Sequence, residues 1–440
     1  MSRYTPEIRS KNSEIGFFFL LLYTLLVFAR PQEWGQSVIE FPFIRIFLIL
    51  SFVFYLLQQA PKNFSIHSTC LFSLIIIILL SGIRNYWAMG GVYSAFGFII
   101  SVIIPYLLFT SLLYDLNKVK KIMFASLIAT FVMLFHGYSQ LNSPSGTAWT
   151  GEPLSQGTRI TFVGVFNDPN DLAMFFVINI PFAYYFFVTN KSKVIKVGMC
   201  IIFLLLFWGV YKTNSRGALL GLLTIITVFI YLTFGKIKTL FLLLITTPIV
   251  TIVIGMFRTI DAEEDSAGQR IEAWYTAIDL FKSHPFVGVG MGNFTDYHYI
   301  TAHNSYALVL AELGFLGYTL WFVVSVFPLL KLYSIINDTL PISPEKEKEW
   351  LANRDEYKLG AKVLFLSLTG FLATGFFISR SYSIIWIFIV SLSIALTYLV
   401  ENIFISKISQ RKFNVNLIKK AIFCSVISMI LLYFSIRLLL

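Results

Sequence analysis

Charge is the first thing this chain has little of. Asp, Glu, Lys and Arg make up 13% of its 440 residues, against 57% hydrophobic and 17% aromatic, with a mean hydropathy of +0.76. Soluble domains carry about 25% charged residues, so a water-soluble globular domain is excluded, as is a disordered polar chain. Cysteine is equally sparse: Cys70, Cys200 and Cys424 all lie in or at the edges of apolar runs. That excludes a disulfide framework and a metal-binding cysteine cluster, and leaves buried structural thiols. Gly288, Gly290 and Gly292 have no strand before them and no helix opening directly from them, so they are not a dinucleotide fingerprint. A flexible turn is the first reading of that triplet and a phosphate-contacting backbone nest the second. The first apolar run is followed by Arg30, Pro31, Gln32, Glu33 and Trp34, with no small-residue cleavage site, and reads as a retained span. Soluble domains, low-complexity tracts and internal repeats are missing as well.

What is present is a series of apolar runs long enough to cross a hydrocarbon core of about 30 Å, which takes roughly 20 helical residues. They fall at 15–28, 41–57, 69–83, 92–113, 122–135, 172–188, 194–210, 218–234, 240–256, 305–330, 361–377, 383–400 and 417–440. Such continuous runs exclude a β-barrel, whose strands alternate. The expected fold is an all-α, polytopic membrane helix bundle of about 12–13 spans, a single integral membrane domain over 1–440 whose main partner is the lipid bilayer.

The net charge of +11 would suit nucleic acid, but its distribution points to topology instead. With the N-terminus inside, Arg3, Arg9, Lys11, Lys118, Lys120, Lys121, Lys191, Lys193, Lys196, Lys236, Lys238, Lys407, Arg411, Lys412, Lys419 and Lys420 all fall inside. Roughly 23 of the 34 basic residues do so, as the positive-inside rule requires, and no nucleic-acid partner is expected. Two long outside loops result, 136–170 and 257–303, and one long inside loop, 333–357, whose mixed charges read as a solvated linker. Loops of this length in a compact bundle usually have a job. In the second outside loop Ile271, Trp274, Ile278 and Phe281 recur at helical spacing between charged residues, the pattern of a short amphipathic helix on a membrane surface.

Several arginines stand at the outside ends of spans: Arg30, Arg84, Arg159, Arg216, Arg270 and Arg380. A guanidinium is always charged, and its fork matches phosphate oxygens. Arg216, in the short turn Thr213, Asn214, Ser215, Arg216, Gly217, has the most fixed backbone. Asp168 and Asp171 could hold a divalent ion, but Asp168 as N-cap with Pro169 at the first helical position is the stronger reading. The run Asp261, Glu263, Glu264, Asp265 reads as a solvated acidic stretch or, at most, a calcium-type site, and no metal is expected. Glu312 is the clearest deep charge. Of five histidines only His303 opens a span. Continuing the helix from it, Gly314 and Gly317 fall within about 40° of it, so that a neighbouring helix could pack closely beneath the imidazole. A helix N-terminus also keeps the ring neutral and able to take a proton.

The stretch His303, Asn304, nine residues, Gly314, two residues, Gly317 resembles the characteristic element of the O-antigen ligase and O-antigen polymerase family. Ser215, Arg216, Gly217 resembles that family's essential arginine position, and Arg159 ahead of Phe166, Asn167, Asp168, Pro169, Asn170 resembles another recurrent element. The resemblance covers 159–318 by motif and the whole chain by topology. It implies a metal-independent, inverting glycosyltransferase of the membrane C type in the bacterial inner membrane, with its active site facing the periplasm and no cofactor. It would take a glycan from undecaprenyl pyrophosphate and pass it to a glycan or lipid acceptor, such as lipid A core or another lipid-linked repeat, in surface polysaccharide assembly. It further implies His303 as base, Arg216, Arg159 and Arg270 as the pyrophosphate cradle, and Asn304, Gly314 and Gly317 in support. A lipid-linked sugar flippase and a protein O-oligosaccharyltransferase are the alternatives.

Overall fold

The expected helices form where the apolar runs meet capping residues. The computed structural model describes residues 11–34, 42–58, 65–240 and 266–438, and among these the architecture is all α-helical, with only isolated bridges in the loops. In chain order the helices are α1 (Lys11–Ala29), α2 (Phe43–Leu57), α3 (Ile66–Arg84), α4 (Ala88–Phe98), α5 (Ile104–Leu112), α6 (Leu116–Asn142), α7 (Pro169–Thr189) and α8 (Lys193–Lys212). There follow α9 (Arg216–Phe234), α10 (Ser266–Ser283), α11 (Ser305–Ile336), α12 (Glu347–Thr374), α13 (Ile384–Phe404) and α14 (Lys407–Arg437). A π-helical turn, Ile99–Ile103, joins α4 to α5 into one span. Ten helical segments among the described residues are long and apolar enough to cross a membrane; α2 is apolar but shorter. The expected span 240–256, apart from its first residue, and the acidic run Asp261–Asp265 lie outside the described residues, as do Arg3 and Arg9.

Seven helices start on a side-chain cap that accepts a backbone N–H: Ser65, Asp115, Asp168, Ser215, Asn304, Ser383 and Ser406. Helix α13 is apolar all round and almost wholly buried, which is the sequence signature of a core helix. It packs on α5, α11 and α12, and α12 in turn packs on α7 and α9. Lipid tails offer no hydrophobic drive between spans, so small and polar residues join them. Ser126 donates to Asn179 at 2.7 Å, Trp386 Nε1 to Ser325 at 2.9 Å, and Ser367 to the Ile178 carbonyl at 2.8 Å. Helices α8, α9 and α14 are mostly exposed on apolar faces and form the rim. Cys200 is therefore exposed on α8, whereas Cys70 is buried as expected.

Three loop expectations change. Helix α6 runs to Asn142, and its buried His136 and Gln140 pin the first outside loop: His136 Nε2 meets Thr150 Oγ1 at 2.6 Å, and Gln140 Nε2 donates to Thr161 Oγ1 at 2.9 Å. The inside loop shortens, because α11 continues to Ile336 and the charged run enters α12 at Glu347. The amphipathic pattern does form α10, but Ala273, Trp274, Ala277 and Ile278 are buried against the bundle, with the Trp274 ring 5.6 Å from Phe376. Its apolar face is covered by protein, chiefly α11, and not by the membrane surface.

Helix α11 is not continuous. Gly314 has φ +62° and ψ −165°, a conformation open essentially to glycine alone. The segment 285–290 docks into the break. Phe315 N–H donates to the Pro285 carbonyl at 2.7 Å and Leu316 N–H to that of Phe286 at 3.2 Å, while Val289 and Gly290 N–H donate to the Ala311 and Glu312 carbonyls. A broken helix leaves backbone groups that hydrocarbon cannot satisfy, and here the glycine-rich segment satisfies them. A Cβ at Gly314 would lie 2.5 Å from the Phe286 carbonyl carbon, and one at Gly288 2.2 Å from that of Glu312. Gly288 and Gly290 thus belong to a docked strap, with Gly292 in the turn just beyond it. Gly317 instead makes room for the Leu313 side chain of its own helix.

Candidate active site at one end of the bundle

His303 stands two residues before α11, and Asn304 is the N-cap, its side chain accepting the Tyr306 and Ala307 N–H groups at 2.9 and 3.1 Å. The imidazole therefore does not share a helical face with Gly314 and Gly317; the cap and the break at Gly314 both intervene. Its backbone lies in the left-handed region, φ +45°, uncommon for a residue with a side chain. Ser305 ties this corner to the loop after α12: its N–H donates to the Gly375 carbonyl at 2.8 Å, its hydroxyl to that of Ile378 at 2.6 Å, and Arg380 N–H donates back to the Ser305 hydroxyl at 2.9 Å.

Arg216 is the first residue of α9, immediately after Ser215 caps that helix and two residues beyond the left-handed Asn214. Its position depends on Gly217 and Gly221, where an added Cβ would meet Phe377 at 2.7 Å and Thr374 at 2.3 Å. Only without side chains there can α9 lie against the end of α12. Arg159 clamps the same turn, donating from Nε to the Thr213 carbonyl at 2.8 Å and from Nη2 to Asn170 Oδ1 at 3.1 Å. Asn170 donates in turn to Asp168, which caps α7 as expected. Arg270 sits at the start of the second turn of α10, in register with Trp274 and Ala277, on the helix's inward face.

These elements converge. His303 feels the charges of Arg270, Asp168 and Arg380, and Arg270 those of Asp168 and Arg216. Burial and then the Arg270 guanidinium push the imidazole pKa below its ordinary value, with Arg380 adding to this and Asp168 opposing it. Burial also lowers Arg270, with Arg216 repelling it and Asp168 opposing both. Burial and neighbouring guanidiniums thus favour the neutral ring, where the sequence suggested a helix dipole. The imidazole forms no hydrogen bond with any described residue, and Arg270 no ion pair with one. Two guanidiniums near enough to repel each other make a place where an anion is favoured.

Arg380 was only one of six outside arginines in the sequence, yet it belongs to this constellation. Its guanidinium makes a two-pronged ion pair with the fully buried Asp171, Nε lying 2.5 Å from Oδ1. No spacing rule connects residues 171 and 380; the only sequence signal was an arginine between two serines at a span end. Arg30 and Arg84 do not join the group, Arg30 pairing with Glu33 and Arg84 being exposed. Glu312 is buried at the helix break, accepting from the Phe294 N–H at 3.4 Å and facing the Gly292 N–H and the Tyr382 hydroxyl. It holds the strap.

The family model for O-antigen ligase matches residues 201–322. The match spans Arg216, Arg270, His303, Asn304, Gly314 and Gly317, and supports the resemblance carried by the motif; Arg159, Asp168 and Arg380 lie outside it. The chain thus has an O-antigen ligase domain within a multi-pass helical membrane protein. That domain supports a membrane glycan ligase or polymerase role, a glycosyltransferase-type enzyme with lipid-linked glycan substrates. No curated protein matches the sequence at a significant level.

Proposed function

We propose that this protein transfers a glycan from undecaprenyl pyrophosphate to an acceptor hydroxyl at the periplasmic face of the bacterial inner membrane, the acceptor being lipid A core or another lipid-linked repeat. The observation that carries the reading is the neutral-leaning imidazole of His303 beside Arg270, in a cluster that includes Arg216. In the reaction the acceptor oxygen attacks the anomeric carbon, the bond from that carbon to the pyrophosphate oxygen breaks, and the hydroxyl proton passes to His303. Arg216 and Arg270 hold the departing pyrophosphate and stabilise its growing charge, with Arg159 fixing the turn that carries Arg216. Attack opposite the leaving group inverts the anomeric centre. The guanidinium groups supply the positive charge, so the transfer proceeds without a divalent ion. Arg380, bonded to Asp171, orients the 378–381 loop against His303.

A transporter reading draws on the broken helix, because such breaks often form substrate sites. Against it, the backbone groups at Gly314 bond to the docked strap.

The test is glycan transfer in proteoliposomes with a lipid-pyrophosphate donor and EDTA present. Wild-type protein is expected to remain active, and His303→Ala to lose about 10²- to 10⁴-fold while still inserting. Full activity in the variant would reject His303 as base, and activity that needs one added divalent ion would reject the metal-free mechanism.

A further inference from the structure

The opposite end of the bundle holds a cavity of about 550 Å³ that the transfer reaction does not use. It lies between the first turn of α3, the last turns of α11 and α13, and the start of α14, and is lined by His67, Lys331, Tyr398, Lys407, Arg411 and Asn414 among others. His67 is fully buried. Its Nδ1 lies 3.4 Å from the Ser65 hydroxyl, while its Nε2 has no partner among the described residues. Asn414 Oδ1 is likewise buried and unpartnered. A buried polar atom left unpaired is unfavourable, and two of them facing one cavity point to a missing polar ligand.

The charges indicate its sign. Lys331 is already paired, lying 2.7 Å from Glu401 with both side chains buried, and Gln410 donates to the other Glu401 oxygen at 2.8 Å. Lys407 and Arg411, one turn apart on the same face of α14, have no such carboxylate among the described residues. The rim is therefore cationic, and His67 can present an N–H at the inner end. The surroundings indicate the source. Ile408 and Val415 are exposed beside the two cations, and farther along α14 Phe423, Ile430, Leu431 and Phe434 form an outward apolar face. A basic helix start leading into an apolar outer face is the arrangement that gathers anionic lipid.

We propose that this cavity binds the phosphate of an anionic phospholipid headgroup, held by Lys407 and Arg411 at the rim and by the His67 N–H within. The test is native mass spectrometry of the full-length protein from mixed micelles containing dioleoylphosphatidylglycerol and dioleoylphosphatidylcholine. Preferential retention of phosphatidylglycerol is expected, falling roughly 10-fold or more in the Lys407→Ala, Arg411→Ala double variant. Both positions are exposed, so the fold is kept, and glycan transfer by the double variant should be unchanged. His67→Phe, with the rim intact, should lower the preference severalfold. Equal retention of the two lipids, or an unchanged preference in the double variant, would overturn the proposal. Displacement of phosphatidylglycerol by millimolar inorganic phosphate would overturn the lipid as source and assign the cavity to a free phosphate compound.

Discussion

Each end of this bundle places a histidine near basic residues and pairs one of them with a buried carboxylate, Lys331 with Glu401 and Arg380 with Asp171, and the two ends differ in how the other cations are held. At the far end Lys331 is matched by Glu401 at 2.7 Å, both side chains buried. Around His303, Arg270 feels the Arg216 charge and has no ion-pairing carboxylate among the described residues, and the imidazole, under the charges of Arg270 and Arg380, makes no hydrogen bond with a described residue. The Lys331–Glu401 pair contributes to holding α11 against α13; the cluster around His303 sets a proton acceptor among guanidiniums. Backbone rigidity differs in parallel. The cations near His303 are fixed by a tight turn, by helix starts and by Ser305's bonds to the 375–380 loop, whereas Lys407 and Arg411 reach out from an exposed rim helix.

The contrast can be broken by removing one member from each end. Loss of His303 should have the largest effect on transfer and little on folding. Glu401→Ala should do the reverse: stranding the Lys331 ammonium among apolar helices should cost about 3–5 kcal/mol of stability, measured by thermal unfolding in detergent, with near-normal transfer per folded molecule. Equal losses of stability in both variants would erase the distinction. Arg216→Lys keeps the charge but not the fork, and should reduce transfer by about 10- to 100-fold through lost charge-assisted hydrogen bonds; wild-type rates would argue against direct contact with the donor's phosphates. Gly314→Ala should cost about 1–3 kcal/mol from its backbone conformation alone, with added cost as the strap is pushed off the break. Unchanged protease sensitivity across 285–294 would show that the strap does not depend on that glycine.

Much of the fold was legible because hydrocarbon imposes a length and a composition on every span. The cap at Asp168 was legible for a local reason, since its neighbours in sequence are its neighbours in space. The helix break at Gly314 was not: a glycine inside an apolar run reads as a packing position, and only the return of the 285–290 segment makes it a discontinuity. The same limit applied to His303, whose place relative to α11 turned on whether residue 303 or 304 is the cap. Arg216 stood out because two spans meet there with almost no loop. Arg270 was one of six outside arginines, singled out only by the family resemblance, and Arg380 was passed over because its partner Asp171 is remote in the chain and looked like a helix-start residue.

The most direct test of the central claim is the pH dependence of kcat/KM for transfer by the wild-type protein and Arg270→Gln. Burial and the Arg270 charge depress the His303 pKa, so the wild-type rate should hold as pH falls below the ordinary imidazole range, declining only where the ring finally protonates. Removing the guanidinium relieves part of that depression, and the acidic limb should move to higher pH. A limb that stays in place, or moves to lower pH, would contradict an uncharged His303 acting as base beside the Arg270 guanidinium.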